Sequence, residues 1–180
     1  MSKLSIYSDQ DAQTLLFETE EGYEIQSKLN ELGIRFERWS ANTPITPAMQ
    51  EADILDAYAE DIQRLKDEDG YIVVDAVSMY PDHPQKDVFR QKFLSEHTHS
   101  EDEVRFFVAG QGLFCLHIQD HVYQVLCCEQ DLISVPKGTA HWFDMGSHPQ
   151  FTALRLFNDP AGWVAQFTGD VIASHFPTLP

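Results

Sequence analysis

"EHTHSEDEVRFFVAGQG", residues 96–112, sets two imidazoles and a carboxylate, His97, His99 and Glu103, within seven positions, then turns apolar and ends on Gly110 and Gly112. Side chains two apart on an extended strand share a face. Positions 97, 99 and 103 have the same parity. A strand that is regular from 97 onward therefore places His97, His99 and Glu103 together, followed by Arg105 and Phe107, with Ser100, Asp102 and Val104 facing the other way. Two readings compete: a solvated acidic stretch leading into an ordinary hairpin, or three ligands aimed at one metal ion. A kink at 100–102 would weaken the parity argument without removing it.

A second stretch, "DLISVPKGTAHWFDMG" (131–146), adds His141 just after a tight turn made by Pro136 and Gly138, with Trp142 and Phe143 following on opposite faces. A single histidine on a strand is usually structural or exposed. Here the spacing, Glu103 and the Pro136–Gly138 turn agree, and that favours ligation. Three imidazoles and a carboxylate form a borderline N/O ligand set suited to Fe(II), Ni(II), Mn(II) or Zn(II). Four protein ligands on an octahedral ion leave two positions open, enough for a chelating substrate.

From residue 103 outward the chain reads as short strands: EVRFFV, LFCLHIQ, VYQVLC, LISVP, AHWFDM and FTALRLF, with turn residues in or near the breaks. That rhythm predicts an antiparallel sandwich or barrel. Upstream, strands are expected at 4–8, 34–41 and 71–81, and helices at 21–33, 47–70 and 87–96. The expectation is one domain over 1–180: an α/β lead-in (1–95), a barrel core (96–160) and a C-terminal tail (161–180). Twelve basic against twenty-nine acidic residues, net charge −17, argue against nucleic acid and anionic membrane surfaces as partners. No apolar run reaches the roughly 18 residues of a membrane span, and the N-terminal stretch lacks the apolar core of a secretory signal. A soluble, cytoplasmic protein is expected. Cys115, Cys127 and Cys128, without CxxC spacing, read as reduced structural thiols. His117 reads as a buried, hydrogen-bonded core residue, and His83, His121, His148 and His175 as surface groups.

The pattern HxHx3Ex6G at His97, His99, Glu103 and Gly110 resembles the first cupin motif, and PxGxxH at Pro136, Gly138 and His141 resembles the second. Gln91 and Gln130 stand where these motifs usually begin with glycine. The cupin resemblance implies a double-stranded β-helix and says little about reaction. The longer stretches "EHTHSEDEVRFFVAGQGLFCLHI", "VPKGTAHWFDMG", "RLFNDPAGWVAQFTG" and "LGIRFERW" are similar to bacterial acireductone dioxygenases of methionine salvage, over nearly the whole chain.

That resemblance implies one Fe(II) or Ni(II) per chain, bound by His97, His99, Glu103 and His141. It implies cleavage of acireductone, 1,2-dihydroxy-5-(methylthio)pent-1-en-3-one, by O2. The iron form would give formate and 4-methylthio-2-oxobutanoate; the nickel form would give formate, carbon monoxide and 3-methylthiopropanoate. Arg105 would stabilise the substrate dianion as a fixed positive charge, with Arg155 a second candidate. Phe93, Phe143 and Trp163 either wall the substrate pocket or pack in the core. Glu96 and Asp102 either influence metal loading and local conformation from behind the ligands or are ordinary surface acids. No partner beyond substrate and O2 is indicated, and a monomer is expected. Two other readings stay open: a different cupin enzyme using the same ligands, and a non-catalytic metal-binding module.

Overall fold

The computed structural model describes residues 1–180. The first half contributes β1 (Lys3–Ser8), β2 (Asp11–Thr19), α1 (Gly22–Asn30), β3 (Arg35–Arg38), α2 (Glu51–Ala57), α3 (Ala59–Asp69), β4 (Val73–Met79) and α4 (Lys86–Phe93). The second half is almost all strand: β5 (His97–Thr98), β6 (Glu103–Ile118), β7 (His121–Cys128), β8 (Asp131–Val135), β9 (Ala140–Asp144), β10 (Phe151–Phe157) and β11 (Gln166–Phe167), closed by a 3-10 turn at Ile172–His175. Every strand pairing is antiparallel. The architecture is mainly β and is the cupin fold. No helix is long and apolar enough to cross a membrane.

EVRFFV and LFCLHIQ, expected as two strands, form the single strand β6, and Gly110 is where it changes partners. Before it, β6 pairs with β8 and β10; beyond it, with β7 and β9. Gly110 has φ +71, and a Cβ there would lie 1.9 Å from the Gln150 carbonyl oxygen. Only glycine fits both the left-handed backbone and that close approach. The strand is buried on both faces, which explains its unbroken apolar run. Phe107, Phe114 and Leu116 point into the barrel with Ile133, Phe143 and Phe151, whereas Val104, Phe106 and Val108 pack outward with Trp39, Ile54, Tyr58, Ile62 and Leu65.

The helix expected over 47–70 is two helices. Its apolar stripe Ile54, Tyr58, Ile62 and Leu65 is buried as one face, but the backbone leaves helical geometry at Tyr58 (φ −114, ψ 22). There the phenol hydroxyl donates to the Thr43 carbonyl at 3.0 Å, and the ring packs edge-on against Phe106. Strand β2 had no counterpart in the sequence reading. It is an edge strand paired only with β1, its Leu15 and Leu16 are exposed, and its register slips, so no clean alternation marks it. Residues expected as a tail contribute β11, which pairs with β5, and Ile172, Ala173 and Phe176, which pack on Trp142 and Val122. All three cysteines are free. Burial pushes the Cys115 and Cys127 thiols well up, so both stay protonated.

Candidate metal centre

His97 on β5 faces His141 on β9 as a direct cross-strand pair. The regular strand expected from residue 97 onward is interrupted: β5 stops at Thr98 and β6 begins at Glu103. The ligand atoms still converge, because the second motif's turn pins the irregular stretch. The Gly138 N–H donates to the His99 carbonyl at 2.9 Å, and the Lys137 N–H donates to Asp102 Oδ1 at 2.8 Å. The imidazoles of His97, His99 and His141 present nitrogens all within 4.8 Å of one another, and all three are buried. Glu103 joins them, with Oε2 at 3.2 Å from Nε2 of His99 and 3.2 Å from Nε2 of His141.

The protonation pattern follows from the partners behind the rings. Nδ1 of His97 contacts the Ser95 carbonyl at 2.7 Å, that of His141 the Thr139 carbonyl at 2.8 Å, and that of His99 the Val164 carbonyl at 3.3 Å. A carbonyl oxygen only accepts, so each Nδ1 carries the proton and each Nε2 is left to face the centre. Burial, and then the neighbouring His141, push His97 down to about 4, so its imidazole is neutral at neutral pH. Against burial, the Arg105 guanidinium holds the Glu103 carboxyl well below the usual carboxylate range. With the proton on Nδ1, the Nε2 lone pairs of His99 and His141 face a carboxylate oxygen across 3.2 Å. A divalent cation among them satisfies all four groups at once, and the donor set suits an N/O-preferring transition metal.

Glu103 Oε1 accepts from Arg105 Nε at 2.6 Å, and the guanidinium lies over the rings of Phe143 (5.3 Å) and Phe114 (5.6 Å). Arg105 is thus a buried cation with further N–H donors left over. It opens, with His97, His99 and Glu103, onto a cavity of about 470 Å³ whose other walls include Val77, Met79, Phe89, Phe93, Trp163 and Phe167. That volume is in the range of small-molecule sites.

The other residues singled out from the sequence fall into distinct places. Phe93 and Trp163 line the cavity. Phe143 does not. It shares a face of β9 with His141 and packs in the core among Phe107, Phe114 and Phe151. Gly112 makes room for it: a Cβ there would lie 2.3 Å from the Phe143 ring. Arg155 lines the cavity directly across the β10–β6 ladder from Arg105, but Asp75 clamps it with two hydrogen bonds, at 2.8 and 2.5 Å. Glu96 is buried behind the ligands, accepting from Thr168 Oγ1 at 2.7 Å and facing His117 Nδ1 at 2.8 Å. Asp102 is the anchor for the Lys137 amide described above. Gln130, standing where the second motif usually has glycine, adopts a glycine-like φ of +82. Sequence reasoning missed Met79, Phe167 and Asp75. The apolar run 71–81 and the C-terminal stretch carry no local mark of a cavity, and the orienting carbonyls belong to backbone.

The comparisons with known proteins agree with this geometry. The sequence pattern of the ARD/ARD' family matches residues 3–165. The acireductone dioxygenase of Hahella chejuensis is 60% identical over 177 residues, covering 98% of this chain and 95% of its own. That of a Synechococcus species is 59% identical over 181 residues and covers both chains fully. Among solved structures, an acireductone dioxygenase from Bacillus anthracis, with a cadmium ion in its active centre, superposes with a TM-score of 0.82 at 28% identity, covering 93% of this chain and 98% of that one. With a buried three-histidine cluster on a cupin fold and full-length relatives of this similarity, the chain belongs to the ARD/ARD' family.

Proposed function

We propose that this chain is an acireductone dioxygenase that binds one Fe(II) or Ni(II) through His97, His99, Glu103 and His141 and cleaves acireductone with O2. The observation that carries the reading is the set of three imidazoles and one carboxylate converging beside a largely apolar cavity that His97, His99 and Glu103 line. When bound through His97, His99, Glu103 and His141, the metal would supply Lewis acidity that favours the deprotonated enediol, the form that reduces O2.

The chain's own residues supply the rest. Arg105 keeps Glu103 ionised through Nε, and its remaining N–H donors face the cavity, where they stabilise the deprotonated enediol. Burial strengthens that interaction, since few waters compete for the charge. Asp75 holds the Arg155 guanidinium in place, which leaves Arg155 the weaker candidate for the same role and makes it a support for Trp163, 5.5 Å from its ring. Met79, Phe93, Trp163 and Phe167 form the wall that receives the methylthio tail, sulfur–aromatic contacts being favourable. Glu96 acts from behind, tying the ligand strand to Thr168 and His117, and Asp102 locks the two motifs together.

Both oxygen atoms of O2 end in the products. With iron these are formate and 4-methylthio-2-oxobutanoate. With nickel they are formate, carbon monoxide and 3-methylthiopropanoate. Three free thiols fit a reducing, cytoplasmic setting, and we take the working form to be a monomer. Reconstitution with each metal tests the proposal: O2 uptake with acireductone is expected from both forms, with carbon monoxide from the nickel form alone. A protein that binds nickel and iron yet consumes no O2 with acireductone would instead be a binding module.

A further inference from the structure

Two of the three imidazoles are oriented by their own strands. His97 donates to the carbonyl of Ser95 and His141 to that of Thr139, each two residues back. His99 is different: its Nδ1 donates to the carbonyl of Val164, 65 positions further along the chain, at 3.3 Å. Val164 closes a turn held by its own N–H to the Ala161 carbonyl (3.1 Å), the Gly162 N–H to the Asp159 carbonyl (2.8 Å) and the Ala161 N–H to Asp159 Oδ1 (2.8 Å). The turn rests on the ligand loop at Gly162. A Cβ there would come within 2.9 Å of both Cβ and Cγ of Glu101 and within 3.0 Å of the Asp159 carbonyl. Gly162 has no positive φ, so close contact accounts for the glycine and backbone conformation does not. The same turn walls the cavity through Trp163 and Val164.

We propose that the 159–164 turn is a positioning element for the metal site: seated on Glu101 through Gly162, it delivers the Val164 carbonyl that fixes His99 with Nε2 aimed at the ion. The proposal rests on the metal-site reading above. Metal-bound histidines depend on such carbonyl partners, and losing one weakens metal affinity by roughly 10–100-fold. A substrate packed against Trp163 bears on the turn that orients His99. Metal and substrate affinities are then coupled, each raising the other by the same factor.

The test compares Gly162→Ala with Gly22→Ala, whose added Cβ meets nothing within 4 Å. Nickel is titrated into each metal-free protein, and the imidazole N–H signals of the zinc-loaded proteins are read by NMR. The expected result is a nickel affinity roughly 10–100-fold lower for Gly162→Ala only, with the His99 Nδ1–H signal lost and those of His97 and His141 kept. Unchanged nickel affinity would overturn the proposal, as would weakened affinity with all three signals intact. Should Gly162→Ala not fold, zinc-loaded wild-type protein decides: three slowly exchanging Nδ1–H signals support the proposal and two overturn it. Wild-type protein that binds no nickel would sink the metal-site reading instead, before the variant is considered.

Discussion

Replacing Gly110 by alanine should loosen the barrel at the point where β6 changes partners. The left-handed φ of +71 alone costs an L-residue about 1–2 kcal/mol. The new Cβ would then stand 1.9 Å from the Gln150 oxygen, 2.7 Å from the Gln150 carbonyl carbon and 2.8 Å from Phe151 Cα. All three are backbone atoms, so no side chain can rotate away. Relief requires β10 to retreat by about 1 Å, to the closest approach that Cβ atoms make. That movement strains the Gln111 N–H to Gln150 bond (3.3 Å) and the Gly110–Phe151 pairing. Two weakened backbone bonds at about 1 kcal/mol each bring the loss to about 3–4 kcal/mol. Gly33→Ala is the control: φ is +78, but nothing lies within 4 Å, so only the conformational cost of about 1–2 kcal/mol applies. The difference, about 2 kcal/mol, corresponds to about 4–8 °C in Tm for a chain of this size. Urea and thermal unfolding of the two metal-free variants measure it. Equal losses in both would show that the Gln150 contact is not what requires glycine at residue 110.

Arg105→Met leaves Glu103 as a buried, unpaired carboxylate, and metal-free protein should lose about 3–5 kcal/mol. Nickel supplies the missing positive charge, so the penalty should shrink in loaded protein; equal Tm losses with and without nickel would refute this account. Trp163→Ala should lower kcat/KM for acireductone about tenfold with a Tm change of only a few degrees, since the ring is 46% exposed at the cavity wall. Phe143→Ala should instead destabilise by about 3–5 kcal/mol, as a core truncation. Gln130→Gly relieves a left-handed φ of +82 and should be neutral or stabilising by up to about 1 kcal/mol in urea unfolding. Hydrogen bonds from Arg35 and Trp39 hold the Glu37 carboxyl below its usual value of 4.5. Its contribution to stability is therefore present above that pH and lost as pH falls through the lower, folded value. Unfolding measured from pH 6 downward should show a shallower acid loss for Glu37→Gln, by less than about 1 kcal/mol.

The residues able to bind a metal were legible in the sequence because coordination is a property of side-chain chemistry and local spacing. His97, His99 and Glu103 share parity, and Pro136 and Gly138 announce the turn before His141. Strand parity was nevertheless the wrong reason for their convergence. The chain is irregular between His99 and Glu103, and amides of Lys137 and Gly138, some forty residues on, hold that irregularity in place. Period alone could not separate Phe93, which faces the cavity, from Phe143, which packs in the core, because both are aromatic residues near the ligands. Their places in the fold decide between them: Phe93 ends α4 at the cavity wall, whereas Phe143 lies on β9 inside the barrel, and that difference exists only once the barrel has closed. Strand β2 leaves no mark in the sequence because an exposed edge strand needs little hydrophobic alternation, and residues 47–70 read as one helix because their stripe of buried residues is continuous. Tertiary structure alone determined the Asp75 clamp on Arg155 and the Val164 carbonyl behind His99. Both join segments 65 or more residues apart, and one is a backbone oxygen that every residue carries. Sequence names the groups that can act, and long-range closure of the sheet decides which of them meet.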